Sequence, residues 1–112
     1  MSEEQMSAEE QQMTVSFGIV AAAGQARSLA FEALKAAKEC DFTRADDLLK
    51  QSEEAFLEAH RQQTELLSRE ASGDHTPVDV LLVHAQDHLM TAMLAHELIA
   101  EIVDLRREIK GC

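Results

Sequence analysis

Only one proline and four glycines interrupt the 112 residues of this chain, so it has few places at which to reverse direction. Two clusters read as turns: Glu39-Cys40-Asp41-Phe42, and Ser72-Gly73 followed by Asp74-His75-Thr76-Pro77. They separate three long segments, each with apolar residues at 3-and-4 spacing, the period of an amphipathic helix. Apolar residues make up 46% of the chain while aromatics make up 4%, with no Trp or Tyr. Such a core is aliphatic and Ala-rich, which suits close-packed helices better than sheets. The expected fold is all-α, an antiparallel three-helix bundle in one domain; a chain of this size buries only about two-thirds of its unfolded surface and has no room for a second core.

The first twelve residues, MSEEQMSAEEQQ, hold four Glu and no basic residue. Residues 1–12 are expected to be a disordered acidic segment, leaving 13–112 as the helical domain, although Ser7-Ala8-Glu9-Glu10 has the form of a capping box that could start a helix. From Met13 to Lys38 one series runs Val15, Ile19, Ala22, Ala26, Leu29, Ala33, Ala37. A second runs Phe17, Val20, Gly24, Phe31, Leu34, which predicts neighbours on two sides of this helix. Gly24 costs it about 1 kcal/mol relative to Ala, so a close approach to its backbone is expected. The second helix starts from Asp41 or Thr43 as cap and carries Ala45, Leu48, Ser52, Phe56 and Ala59 on one stripe. For the third, Thr76 is the expected N-cap, with Pro77 in the first helical position and Asp79 three residues after the cap.

The third helix, expected from Val78 to about Lys110, has two apolar stripes. Leu81, Ala85, Leu89, Ala92, Ile99 and Val103 form one, with His96 among them; Val80, Val83, Leu94, Ala95, Leu98, Ile102, Leu105 and Ile109 form the other. A hairpin of three helices needs one inward face from each, so the second stripe is surplus to a monomer. Surplus apolar surface marks an interface, and a homo-oligomer assembled through helix three is expected. The alternative is that helix three sits centrally in a monomer.

Acidic residues outnumber basic ones 21 to 10, for a net charge of -11. A chain so acidic is repelled by phosphate backbones and anionic lipid, which argues against nucleic-acid binding. No apolar run approaches the ~20 residues of a membrane span, and the acidic start is the reverse of a signal peptide, so no membrane insertion and a cytoplasmic location are expected. Cys40 and Cys112 form no C-x-x-C pair and are expected to be reduced thiols.

The surplus stripe breaks once, at His84, Asp87, His88 and Thr91, which project at 100° per residue to about 0, -60, +40 and -20°. Polar groups clustered between apolar turns are costly unless paired or used. They could satisfy one another structurally. Two histidines at i and i+4 with an acid between them could hold a metal, though the Glu beside the first His of hydrolytic zinc helices is missing. A histidine could also be a nucleophile, since imidazole titrates near ~6.5 and offers a neutral ring nitrogen to a phosphoryl group. Spacing does not choose among the three.

The strings are more specific. Val83-His84-Ala85-Gln86-Asp87-His88-Leu89-Met90-Thr91, with Gly24-Gln25-Ala26-Arg27-Ser28-Leu29-Ala30 upstream, resemble the lactose/chitobiose (lactose/cellobiose) family of enzyme IIA proteins of the bacterial phosphoenolpyruvate-dependent sugar phosphotransferase system, more the chitobiose type than the lactose type. The resemblance runs from about Met13 to near the end and includes Glu58-Ala59-His60, Gln63-Thr64 and Ala92 to Ile99. It implies a phosphocarrier: a homotrimer with the site between adjacent subunits, His84 as the phosphorylated residue through Nε2, phospho-HPr as donor and a cysteine of a cognate IIB as acceptor. It implies a β-linked disaccharide of the chitobiose, cellobiose or lactose type as the transported sugar. His88 matches the second histidine of the motif, and Gln86 is expected to line the same cleft. Asp87 maps to a position near the three-fold axis, where three carboxylates repel and would take up protons or a structural divalent cation such as magnesium; no cofactor is implied for the chemistry itself. His84 lies too deep in its helix for the N-terminal dipole to help much, so donors from the neighbouring subunit or the partner must stabilise the phosphoryl oxygens; Arg27 is a candidate, or else a solvated helix residue. His96 is expected to be a packed residue, His75 to be exposed, and His60 could be either structural or part of the site. The competing reading is a non-catalytic helical oligomer or metal-binding adaptor.

Overall fold

The computed structural model of the chain describes residues 7–109, which form three helices in the order α1 (Ala8–Lys38), α2 (Phe42–Ala71) and α3 (Val80–Ile109). No strand occurs among the described residues, and the all-α bundle is the fold. α1 starts at Ala8 rather than near Met13, because the Ser7 hydroxyl accepts the Glu10 N–H at 3.1 Å. That bond satisfies one of the orphan donors of the first turn. The capping-box reading therefore holds for residues 8–12; residues 1–6 of the segment expected to be disordered lie outside the described residues.

α1 ends in a Schellman turn. Asp41 N–H reaches the Ala36 carbonyl at 2.9 Å and Cys40 N–H reaches Ala37 at 3.0 Å, with Cys40 in the left-handed region at φ 63°. Gly73, at φ 94°, holds the same position after α2. Left-handed geometry costs a residue with a Cβ about 1–2 kcal/mol, which is why glycine usually fills this place. The Cys40 sulfur is disulfide-bonded, which corrects the expectation of a reduced thiol there; Cys112 lies outside the described residues. The antiparallel fold brings the end of α3 back to the end of the bundle that holds this turn. Asp41 then caps α2, accepting the Arg44 N–H at 3.2 Å.

The start of α3 differs from the expectation. Thr76 and Pro77 lie in non-helical chain, and the helix begins at Val80. Asp79 is the cap: its carboxylate accepts the Leu82 N–H at 2.8 Å and its carbonyl accepts the Val83 N–H at 3.1 Å. Tertiary contacts hold the Thr-Pro pair out of the helix. Gln12 Nε2 on α1 donates to the Pro77 carbonyl at 2.7 Å, and Thr76 N–H donates to the Glu70 carboxylate at 3.1 Å.

α1 is the helix with two neighbours. It packs equally on α2 and α3, which meet each other far less, so the reading in which helix three is central does not hold. Both neighbours sit on one Ala-rich face of α1, formed by Ile19, Ala23, Ala26, Ala30, Ala33, Ala36 and Ala37. Such small residues let helix axes approach closely. The second series of α1 divides: Val20 and Leu34 pack against the core, while Phe17 and Phe31 remain exposed. Two apolar clusters follow from this arrangement. One joins Ile19, Ala23 and Ala26 to Phe56, Ala59, Ala85 and Leu89; the other joins Ala30, Ala33 and Ala37 to Ala45, Leu48, Ile99 and Val103.

Ser52 and His96 lie between the two clusters. The fully buried Ser52 hydroxyl donates to the Ala26 carbonyl at 2.6 Å, and His96 Nδ1 is 3.0 Å from the Ser52 Oγ. A hydroxyl has one proton, so His96 Nδ1 is the donor to Ser52. Its ring also meets Phe56 edge-on, with centroids 5.2 Å apart. One hydrogen-bond chain thus ties α3 to α2 and α2 to α1, and His96 has the packed role expected of it.

On α3 the buried stripe is Leu82, Ala85, Leu89, Ala92, Ile99 and Val103, with Leu82 taking the place expected of Leu81. The second stripe is open: Val80, Val83, Leu94, Leu98, Ile102, Leu105 and Ile109 are all exposed, Leu98 at 55% and Ile109 at 75%.

Candidate functional site

The polar break of α3 falls on its open side. His84, Asp87 and Thr91 are exposed and His88 is half-buried. The i, i+4 spacing puts His84 and His88 one turn apart on one face, and their rings meet edge to face with centroids 4.3 Å apart and planes at 73°. Thr91 turns inward to its own helix, its hydroxyl donating to the Asp87 carbonyl at 2.8 Å. It is therefore a local backbone partner rather than a free donor.

His88 also lines a shallow groove of about 380 Å³ between α1 and α3, together with Gly24, Arg27, Ser28 and Phe31. Gly24, Ser28 and Phe31 follow one another at i, i+4 and i+7, a spacing that alone would have grouped them on a face. Among the described residues, nothing beyond its own helix backbone and chain neighbours comes near Gly24: a Cβ there meets nothing within 4 Å. The expected close neighbour is absent among the described residues, and the glycine borders open groove.

Gln86 is placed elsewhere. Its side-chain oxygen accepts from Gln63 Nε2 of α2, and it lines a separate groove with Leu66, Leu67 and Leu82. It stands two positions after His84, a rotation of about 200° that turns it to the far side of α3, so one chain does not bring Gln86 to the His84–His88 pair. His60 is exposed on α2, and His75 is exposed with Nδ1 3.0 Å from the Glu70 carboxylate. Among the described residues no three His, Cys, Asp or Glu side chains converge. Asp87 is therefore not joined by two further such groups within the described residues.

An exposed imidazole backed by a second one, beside an open apolar stripe, defines a histidine-centred site on a three-helix bundle. The chain matches over residues 14–107 the family described as PTS system, Lactose/Cellobiose specific IIA subunit, and it belongs to that family. It is similar to the N,N'-diacetylchitobiose-specific EIIA component of Escherichia coli K12, with 48% identity over 107 residues, covering 96% of this chain and 91% of that one. Its structure resembles the crystal structure of the cellobiose-specific enzyme IIA from Bacillus anthracis, with TM-score 0.84, 43% identity and 98% of each chain covered. It also resembles the IIA(chitobiose) structure solved in complex with HPr from the E. coli phosphotransferase system, with TM-score 0.75, 47% identity, and 88% and 95% of the two chains covered. No helix among the described residues is long and apolar enough to cross a membrane. The chain is a phosphotransferase component of the IIA type.

Proposed function

We propose that His84 accepts a phosphoryl group from phospho-HPr and passes it to a cysteine of a cognate IIB, in the uptake of a β-linked disaccharide of the chitobiose or cellobiose type by a cytoplasmic phosphorelay. The observation that carries this is the exposed His84 ring within VHAQDHLMT, in a chain that belongs to the IIA family. A relative solved with HPr supports the donor, and relatives named for chitobiose and cellobiose support the sugar class. In the transfer, a ring nitrogen of His84 attacks phosphorus in line with the donor's ring nitrogen. The donor P–N bond breaks with its electron pair returning to that nitrogen, and the new P–N bond forms on His84, with no change of oxidation state. Such a step needs positioning and charge stabilisation more than acid-base chemistry. It suits an imidazole that stands in solvent with one wall held by a second ring.

The subunit functions as a homotrimer through the open stripe of α3. Seven large apolar side chains along one helix are exposed there, more than a monomer leaves in one row. In that assembly Asp87 approaches its copies, and a divalent cation such as magnesium, held by Asp87 from each subunit, would offset their repulsion. Such an ion is structural and takes no part in the transfer. Incubation with enzyme I, HPr and phosphoenolpyruvate tests the central reading. The expected result is an acid-labile, base-stable mass gain of one phosphate, lost in His84→Ala and retained in His88→Ala. Labelling that survives His84→Ala, or none in the wild type, sinks it.

A further inference from the structure

Arg27 is set apart from the other cations of this chain by its place on the helices. Between Ala8 and Leu34 of α1 and between Val80 and Leu105 of α3 it is the only Arg or Lys in the sequence. Arg61, Arg69 and Arg107 each hold a carboxylate, at 2.6, 3.2 and 2.6 Å. Arg27, like Arg44, Arg106, Lys35, Lys38 and Lys50, has no such partner among the described residues. Its guanidinium carbon instead lies over the Phe31 ring, 5.6 Å from the centroid. An aromatic face restrains a guanidinium while leaving its in-plane N–H donors free.

Those donors belong to the groove that His88 lines, with Ser28 beside Arg27 and Gly24 leaving the wall open. His88 in turn touches His84. Around His84 the backbone N–H groups are spent on the α3 helix, because the residue lies beyond the first turn where amides are unpaired. Stabilisation of a phosphoryl group must therefore come from side chains. A phosphoryl group offers three acceptor oxygens and close to two negative charges, which a planar guanidinium can meet with two parallel N–H bonds.

Resting on the phosphocarrier reading, we propose that the α1–α3 groove is the seat of the phosphoryl oxygens, with Arg27 and Ser28 as their donors while the group is carried on His84.

The test uses potassium phosphoramidate, which needs no protein donor: its P–N bond breaks, the nitrogen leaves as ammonia, and phosphorus bonds to the histidine. Wild type, Arg27→Gln, Arg27→Lys and Ser28→Ala are labelled this way and from phospho-HPr, with circular dichroism to check folding of these exposed-site variants. The phosphohistidine resonance is then titrated by phosphorus NMR. A nearby guanidinium favours the dianion, so in Arg27→Gln the phosphoryl ionisation moves up by about half a unit or more. Labelling by phosphoramidate slows roughly tenfold, the size of one charge-assisted contact, with Lys between Gln and wild type. An Arg27→Gln chain that labels and titrates like wild type overturns the inference and leaves the phosphocarrier reading standing. So does a loss confined to labelling from phospho-HPr, which would put Arg27 on the donor's docking surface. A wild-type chain that takes no label from either source overturns both.

Discussion

The ring of His88 stands edge-on to the ring of His84, one helical turn away, with centroids 4.3 Å apart. The pair is unequal: His84 is exposed, whereas His88 is half-buried against the α1 groove. The ring proposed to react and the ring beside it thus differ in exposure on a single helix face.

If His88 restrains the His84 ring, its removal affects rate rather than capacity. His88→Ala is expected to take up one phosphate per chain, as wild type does, with the transfer rate lowered about tenfold, the cost of a poorly oriented reacting group. Quench-flow labelling from phospho-HPr checks this; an unchanged rate would show that the contact is idle.

The Ser52 hydroxyl serves both the Ala26 carbonyl and His96 Nδ1. Ser52→Ala leaves the half-buried His96 Nδ1 donor unpaired and removes the second bond to the Ala26 carbonyl, for a loss of about 1–3 kcal/mol in urea unfolding. His96→Leu combined with Ser52→Ala should cost less than the sum of the two single changes, because the residues share one hydrogen bond. Additive losses would mean that the two do not interact.

Leu98 is 55% exposed and Ile102 45%, so charges there need not disturb the subunit core. Leu98→Glu and Ile102→Glu are expected to keep wild-type helicity by circular dichroism while sedimenting as monomers at micromolar concentration, where wild type sediments as a trimer. A wild-type monomer would refute the role given to the stripe.

Asp87 is exposed on the same side of α3. In a trimer that gathers three copies of this carboxylate, Asp87→Leu removes like-charge repulsion and adds apolar contact, so the melting temperature of the assembly should rise by several degrees. Its stability should also lose any dependence on magnesium. A lowered melting temperature would place Asp87 away from its copies.

The sequence by itself determined the three helices, because few turn residues leave few turns and the apolar period is unbroken between them. It also determined that α3 carries more apolar surface than its own subunit covers, and that His84, Asp87 and His88 share a face, since helical spacing alone fixes both. The tertiary structure decided what depends on which neighbour a group meets. Asp79 caps α3 in place of Thr76 because Gln12 and Glu70 hold the Thr-Pro segment from outside. Gln86 turns to Gln63 on α2, away from His84. α1 lies between the other helices because its Ala face is shallow enough to seat both, while its larger Phe17 and Phe31 stay outside. Periodicity gives a side chain its direction from the helix axis; only the packed bundle supplies what stands in that direction, and with Arg27 and Gly24 it is the groove beside His88.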